Sequence, residues 1–410
     1  MTFQVNKDDG LYYRQTLFDR AKRVVVKAGS AVLTDCHGLK TEVIDNLARE
    51  LTFLRSTDRE VILVSSGAVA AGRQRLGPGR KSGGGLKVKQ ALAAMGQGLL
   101  MQAYEQAFGG QGQKVAQVLL THADLSSRDR YLNVRNTILT LFEFGVIPII
   151  NENDTVSVEE LRFGDNDTLG ALIANMIGAD MYIILTDVDG LYTASPGDDP
   201  DARPVYTVAR INREVEAMAG HSHSALGTGG MQSKIRAAKM VAACGGSSFI
   251  GPGNRKDILK DLFSGNMVGT FFLPSPEKIR SRKHWIAYVL RPQGYFVLDG
   301  GACRAIVQGG KSLLPSGILE VSGSFGVGAP VQCRDTAGRI IAAGLTNYAA
   351  EDIARIKGHN SREIKKILGF SDSEEVIHRD NLVLLNNEQE VDAIPVSTGE
   401  GGKERWTAGR

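Results

Sequence analysis

The stretch Val146–Asn175, "VIPIINENDTVSVEELRFGDNDTLGALIAN", joins the greasiest strand candidate of the chain to its densest group of polar side chains. Amides and carboxylates alternate at Asn151, Glu152, Asn153 and Asp154, return at Asp165, Asn166 and Asp167, and give way to an apolar run with helical spacing. A buried strand feeding a polar loop and then a helix is the way α/β proteins build a site. Asn151, Asn153, Asp154, Asn166 and Asp167 can hydrogen-bond an ammonium and a carboxylate, the two ends of an amino acid. Their carboxylates can also orient lysines or a hydrated Mg2+. Asp165–Asp167 reads equally as a turn and helix cap before "TLGALIAN", and the two readings are compatible.

Outward from this stretch, strands alternate with helical patterns. "RVVVKAGS" (23–30) is a buried strand ending in Lys27 and Gly29, and "TEVIDNLARELTFLRS" (41–56) has helical spacing. "EVILVSSGAVAAG" (60–72) is a strand, a turn at Ser65-Ser66-Gly67 and a small-residue helix. Helix 87–108, strand "KVAQVLL" (114–120) and helix 127–144 precede the opening stretch, and "MYIILTDVDGLYT" (181–193) follows it. This alternation predicts a mainly parallel sheet covered on both faces, with ligands at the carboxyl ends of the strands. Lys27, Ser66, Thr121, Asn151 and Thr186-Asp187 all fall at such ends. Loops are polar anyway, so their convergence counts for more than any one of them.

In "LGTGGMQSKIRAAKMVAACG" (226–245), glycines precede a helix expected over Met231–Ala243, with Lys234 in its first turn. Glycines let backbone N–H groups close on an anion, and a helix N-terminus favours negative charge. A phosphate clamp and a flexible loop before an amphipathic helix both fit. There is no G-x-x-x-x-G-K-[ST] loop. His221 and His223 fit a mobile loop better than a metal site, and His122 is a candidate base near a strand end. No serine nucleophile elbow stands out.

With 410 residues, 42% hydrophobic and 23% charged, the chain has room for two or three domains and an ordinary core. A net charge of +3 does not by itself argue for nucleic acid. Four scattered cysteines suit a reducing compartment. The charged first 25 residues carry no secretory h-region and no long apolar run occurs, so a cytoplasmic protein without a membrane span is expected. Residues 1–20 read as a polar peripheral arm. Prolines and a basic run at 273–285 suggest a domain junction, and the Gly-rich short β-type runs of 295–343, closed by helical "DIARIKG" and "SREIKKILG", suggest a small β-rich module. The chain beyond 371 reads as an acidic, then polar tail, disordered at its end.

"VVVKAGSAVLT", "VILVSSGAVAAGRQRLG", "KQALAAMGQGLLMQAYEQAF", "IINENDTVSVEELRFGDNDTLGALIA", "LTDVDGLYT" and "GTGGMQSKIRAA" closely resemble the glutamate 5-kinases of the amino-acid kinase family. "SRKHWI", "GACRAIVQGGKSLLPSGILEVSGSF" and "ARIKGHNSREIKKILG" resemble a PUA domain. The resemblance covers about residues 23–370 and implies an α/β fold: an αβα sandwich with a mainly parallel sheet over 21–275, then a small β-rich PUA domain over 280–370 and a tail over 371–410. It implies ATP-dependent phosphorylation of the γ-carboxylate of L-glutamate, with Mg2+ on the nucleotide and no protein residue assigned as its ligand. Carried over by position, Lys27, Lys234 and Asp167 would be catalytic, the lysines on the transferring phosphoryl group and the aspartate holding them. Ser66, Asp154 and Asn166 would bind glutamate. Lys27, Thr186, Asp187, Thr228, Gly229, Gly230, Met231, Gln232, Ser233 and Lys234 would bind ATP. Ala28 and Ala31 stand where the family usually has a larger aliphatic residue and a hydroxyl, so a phosphate contact from that hydroxyl is not expected here. "GPGRKSGGG" (77–85) is a candidate closing loop. Proline as a feedback inhibitor and a homo-oligomer, dimer or tetramer, are further implications. The rival reading is an RNA-binding regulatory protein using the PUA domain, with Lys278–His284 as its basic run and the kinase-like domain acting on another amino acid.

Overall fold

The computed structural model describes residues 7–77, 85–157, 165–220, 230–275, 290, 292–371 and 373–385. The chain divides into two compact units, Met1–Arg291 and Pro292–Arg410.

The first unit is built on an eight-stranded sheet. In chain order its strands are β1 (Arg23–Ala28), β4 (Glu60–Ser65), β5 (Lys114–Leu120), β6 (Val146–Glu152), β7 (Met181–Thr186), β8 (Thr207–Val208), β9 (Ser247–Pro252) and β10 (Thr270–Phe272). The two-residue strands β2 (Thr34–Asp35) and β3 (Gly38–Leu39) pair separately. The sheet order is β5-β6-β4-β1-β7-β9-β10-β8. All pairs from β5 to β9 are parallel, and β10 joins β9 antiparallel. β1 lies in the middle, with β4 on one side and β7 on the other, so the chain leaves it in both directions. An open α/β sheet forms its ligand crevice at such a reversal.

Helices cover both faces: α1 (Lys7–Arg20), α2 (Ser30–Leu33), α3 (Thr41–Ser56), α4 (Ala68–Leu76), α5 (Leu86–Gly109), α6 (His122–Ser126), α7 (Arg128–Glu143), α8 (Asn166–Ile177), α9 (Arg213–Met218), α10 (Met231–Ala243) and α11 (Ile258–Phe263). Successive strand residues face opposite ways, and each face buries its own core. Val24, Val26, Leu63, Ile149 and Ile183 pack with α3, α5 and α11. Val25, Ile62, Val64, Ile150, Tyr182 and Ile184 pack with α8 and α10. Burial on both sides explains why these strands read as continuous apolar runs.

Residues 7–20, expected as a peripheral polar arm, form α1, and its C-terminal half is docked. Phe18 is buried 4.9 Å from the Phe271 ring and 5.5 Å from the Phe263 ring. The buried Arg14 donates to the Val268 carbonyl.

The second unit carries a five-stranded sheet, in order β12-β11-β13-β14-β15. These strands are β11 (Gly294–Leu298), β12 (Ile318–Gly323), β13 (Pro330–Arg334), β14 (Ile340–Leu345) and β15 (Leu382–Leu384). Its core holds Phe296, Leu298, Val331, Ala342, Ile353 and Ile377. Two sequence readings change here. The stretch read as β-type around "GGACRAIV" is a helix, Gly300–Val307, started by Asp299, which accepts the Ala302 N–H at 2.6 Å. The segment assigned to the tail supplies β15 and the fully buried Val376 and Ile377, so the sheet closes beyond residue 370.

Candidate functional site

Strand parity places the first member of the site. Lys27 follows Val25 by two residues, so it faces α8 and α10. Gly29 then turns the chain, its N–H bonded to the Leu185 carbonyl, and a Cβ at this glycine would lie 3.5 Å from Lys27 Nζ. One strand over, the Ser66 N–H bonds the Ala28 carbonyl, and Gly67, with φ at 103°, makes the turn into α4. A positive φ of this kind favours glycine.

Helix α8 brings the second member. The Asp165 side chain accepts the Thr168 N–H at 2.8 Å and starts the helix. Asn166 and Asp167 therefore project from the first turn, against the ends of β1 and β4. Asn166 Nδ2 donates to the Ser65 carbonyl and the Ser66 hydroxyl at 2.8 Å each and to Asn151 Oδ1 at 3.0 Å. Asn151 Nδ2 continues the chain to Gln97 Oε1 on α5 at 2.9 Å.

Asp167 is fully buried. Lys27 Nζ stands 2.5 Å from its Oδ1, and Lys234 Nζ stands 3.0 Å from its Oδ2. Lys234 belongs to the buried stripe of α10 with Ala237, Ala238 and Val241, which aims it inward at helical spacing. The Ser233 hydroxyl, 2.9 Å from Oδ2 and 2.8 Å from the Gly230 carbonyl, completes the shell. Burial alone would raise the Asp167 pKa. Lys27 and Lys234 outweigh it and hold the carboxyl below its ordinary range. One carboxylate against two ammoniums leaves net positive charge among buried side chains. Lys234 lies in the first turn of α10, where Gly230 offers no side chain to cap the helix, an arrangement suited to anions.

The remaining residues fall around this centre or outside it. Thr186 is buried at the end of β7, and its hydroxyl donates to Asp187, which is exposed. Asp154 lines a cavity of about 290 Å3 with Gln97, Gln117, Glu152, Asn153 and Thr155. Met231 and Gln232 begin α10. Thr228, Gly229, His221, His223, most of "GPGRKSGGG" and the basic run 278–284 lie outside the described residues. Thr121 and His122 do not join the site. Thr121 forms a capping box with Asp124, and His122 Nδ1 lies 2.8 Å from the Ser126 hydroxyl.

Reading the sequence missed the supports of the site. The buried Tyr182 donates its hydroxyl to the Asp167 carbonyl at 2.9 Å. The buried Tyr104 shares a 2.8 Å hydrogen bond with Ser65. In sequence both tyrosines look like ordinary core aromatics. The only signal was that a buried tyrosine hydroxyl needs a partner.

Comparison with known proteins identifies the family. The amino acid kinase family profile matches residues 22–250, and the PUA domain profile matches residues 294–368. A glutamate 5-kinase of Desulfotalea psychrophila is 60% identical over 91% of this chain and 99% of its own length. Glutamate 5-kinases of Geobacter sulfurreducens and Syntrophus aciditrophicus are 50% and 48% identical, over 91% of this chain and 100% and 96% of theirs. The chain therefore belongs to the amino acid kinase family, in its glutamate 5-kinase branch, with a PUA domain following the kinase domain.

Proposed function

We propose that the chain uses ATP to phosphorylate the γ-carboxylate of L-glutamate, giving γ-glutamyl 5-phosphate and ADP, the first step of proline biosynthesis. The observation that carries this reading is the Lys27–Asp167–Lys234 trio at the end of β1, in a chain 60% identical to a glutamate 5-kinase.

A side-chain carboxylate with a pKa of about 4.3 is ionised at neutral pH and needs no general base. Its oxygen forms a bond to the γ-phosphorus while the bond to the bridging oxygen breaks, and that electron pair leaves with ADP. The difficulty is repulsion between an anionic nucleophile and an anionic donor. Lys27 and Lys234 answer it by placing two cations over the transferring group. Asp167 holds both ammoniums before substrate arrives, so little reorganisation accompanies the reaction. Ser66 and Asn166, fixed to each other and to Asn151, position the glutamate chain, and Asp154 attracts its ammonium. The α10 N-terminus with Gly230 to Ser233, together with Thr186 and Asp187, takes the nucleotide.

Among the described residues no three His, Cys, Asp or Glu side chains gather as a metal cage. Mg2+ usually keeps waters and substrate phosphates as ligands, so it would reach the site with the nucleotide. Proline as a feedback inhibitor, a dimer or tetramer, and a cytoplasmic setting belong to the same reading. No described helix is long and apolar enough to cross a membrane.

Glutamate and aspartate differ by one methylene, which a pocket discriminates by only about 1–3 kcal/mol. Substrate identity is therefore tested directly, by ADP release with glutamate, aspartate and N-acetylglutamate in parallel. Glutamate is expected to give the highest kcat/KM, and preference for either of the others rejects the assignment.

A further inference from the structure

The loop after β6 carries a tie that the phosphoryl-transfer chemistry does not use. Asn153 anchors the loop to β5 through its N–H and the Leu120 carbonyl, 2.8 Å apart. The N–H groups of Val156 and Ser157 both return to the Asn153 carbonyl, at 3.2 and 3.1 Å, closing a single tight turn. Ser157 is only 3% exposed, and its hydroxyl donates to Glu152 Oε1 at 2.8 Å. Its carbonyl accepts from Gln90 Nε2, on α5, at 3.0 Å. Asp154 and Thr155 sit at the tip of this turn, and with Glu152 they form one wall of the 290 Å3 cavity.

We infer that Gln90 and Ser157 are positioning residues that set the amino-acid affinity of the site by fixing the turn that presents Asp154. The inference rests on the reading of Asp154 as the group that meets the substrate ammonium. Neither residue is placed on the reacting atoms. The buried Ser157 hydroxyl is a donor to a charged oxygen, and such bonds are stronger than neutral ones. Without it, Glu152 loses one partner of the carboxylate that forms this wall, and the turn loses its side-chain link to the end of β6. Gln90 ties the far end of the same turn to a 24-residue helix, so the tip inherits the rigidity of α5.

The test is steady-state ADP release by the full chain and its Ser157→Ala, Gln90→Ala and Ser157→Thr variants, with calorimetric titration of the amino acid. Ser157→Ala should raise KM and Kd for the amino acid about tenfold, the scale of losing one hydrogen bond to a charged group. KM for ATP and kcat should stay within about twofold, the pattern of lost ground-state binding. Gln90→Ala should show the same split, and Ser157→Thr, which keeps the hydroxyl, should recover most of the affinity. An unchanged amino-acid KM in both alanine variants overturns the inference, as does a rise in both KM values together. The assay uses whichever amino acid the unaltered chain prefers. A wrong substrate assignment then shows in the unaltered chain, and a wrong positioning role shows only in the variants.

Discussion

The Lys27 ammonium lies 2.5 Å from Asp167 Oδ1, with both side chains buried, while Lys234 takes the other carboxylate oxygen. A buried ion pair is weak evidence for stability, since desolvation offsets much of the attraction. Its value here is positional. Two cations that would repel each other share one anion between them. Asp167→Asn keeps the shape and removes the charge, leaving the two ammoniums face to face. It should lower kcat by about 100-fold or more, the scale of losing one preorganised electrostatic contact. It should also lower the melting temperature, and a nonhydrolysable ATP analogue should restore more stability to the variant than it adds to the unaltered chain. Unaltered turnover in this variant would remove Asp167 from the machinery.

The two lysines make a separate prediction. Lys27→Ala and Lys234→Ala should each cut kcat by roughly 100-fold. The double variant should lose less than the product of the two, because groups acting as one unit are not additive. Arginine should not rescue either site. A planar fork of five donors does not fit where a compact ammonium meets a buried carboxylate. Single-turnover ADP formation measures the chemical step directly, and near-normal rates in both alanine variants would remove the assigned roles.

Much of this arrangement was legible before any coordinates. β1, β4, β6 and β7 are apolar runs because helices bury both of their faces, and each ends in a polar group: Lys27, Ser66, Asn151 and Thr186. Period-two parity alone puts Lys27 on the face of Val25. What parity could not give is which helix covers that face, since α10 is some 200 residues away, so the shared carboxylate was expected from the family resemblance alone and not from the pattern of the residues. β9 was passed over because it begins with Ser247 and Ser248, both buried but polar by type. The Gly300–Val307 helix was hidden by its glycine start and terminal β-branched residues. β15 was hidden by the acidic segment before it, where local composition outweighed the tertiary pairing with β14.

Tyr182 supports Asp167 from behind, and Gly170 leaves the room for it. A Cβ at Gly170 would come 2.3 Å from the Tyr182 hydroxyl oxygen and 2.7 Å from two ring carbons. Gly170→Ala should therefore destabilise by about 1–3 kcal/mol, the usual range for overpacking a core. Tyr182→Phe in that background should restore only part of the loss, because the ring carbons still clash. Alone, Tyr182→Phe removes a donor to the Asp167 carbonyl and should lower kcat by about tenfold, the scale of one buried hydrogen bond, with little change in either KM. Equal urea midpoints for Gly170→Ala and the unaltered chain would contradict the crowding argument.

Glu50 gives a pH dependence whose sign can be fixed. It is buried on α3, where it accepts the Leu259 N–H at the start of α11 and the Asn46 amide at 2.8 Å. Burial pushes its pKa up to about 7 in spite of these donors, and Asp257 adds repulsion. In the unfolded chain a glutamate titrates near 4.3, so from about pH 4.3 to about pH 7 the folded state keeps a proton that the unfolded state has released. Stability from this group is therefore complete at the acid end of that window and is lost as the pH rises through it. Asp167 behaves oppositely: with its pKa depressed, its contribution is present throughout this window and is lost only as the pH falls below the ordinary carboxylate range. Glu50→Gln cannot titrate. The melting temperature of the unaltered chain minus that of Glu50→Gln should thus fall from about pH 5 to about pH 7 and level off above it, since every other titrating group cancels in the difference. A flat or rising difference would mean that Glu50 is ionised throughout and that the N–H donors at α11 outweigh its burial.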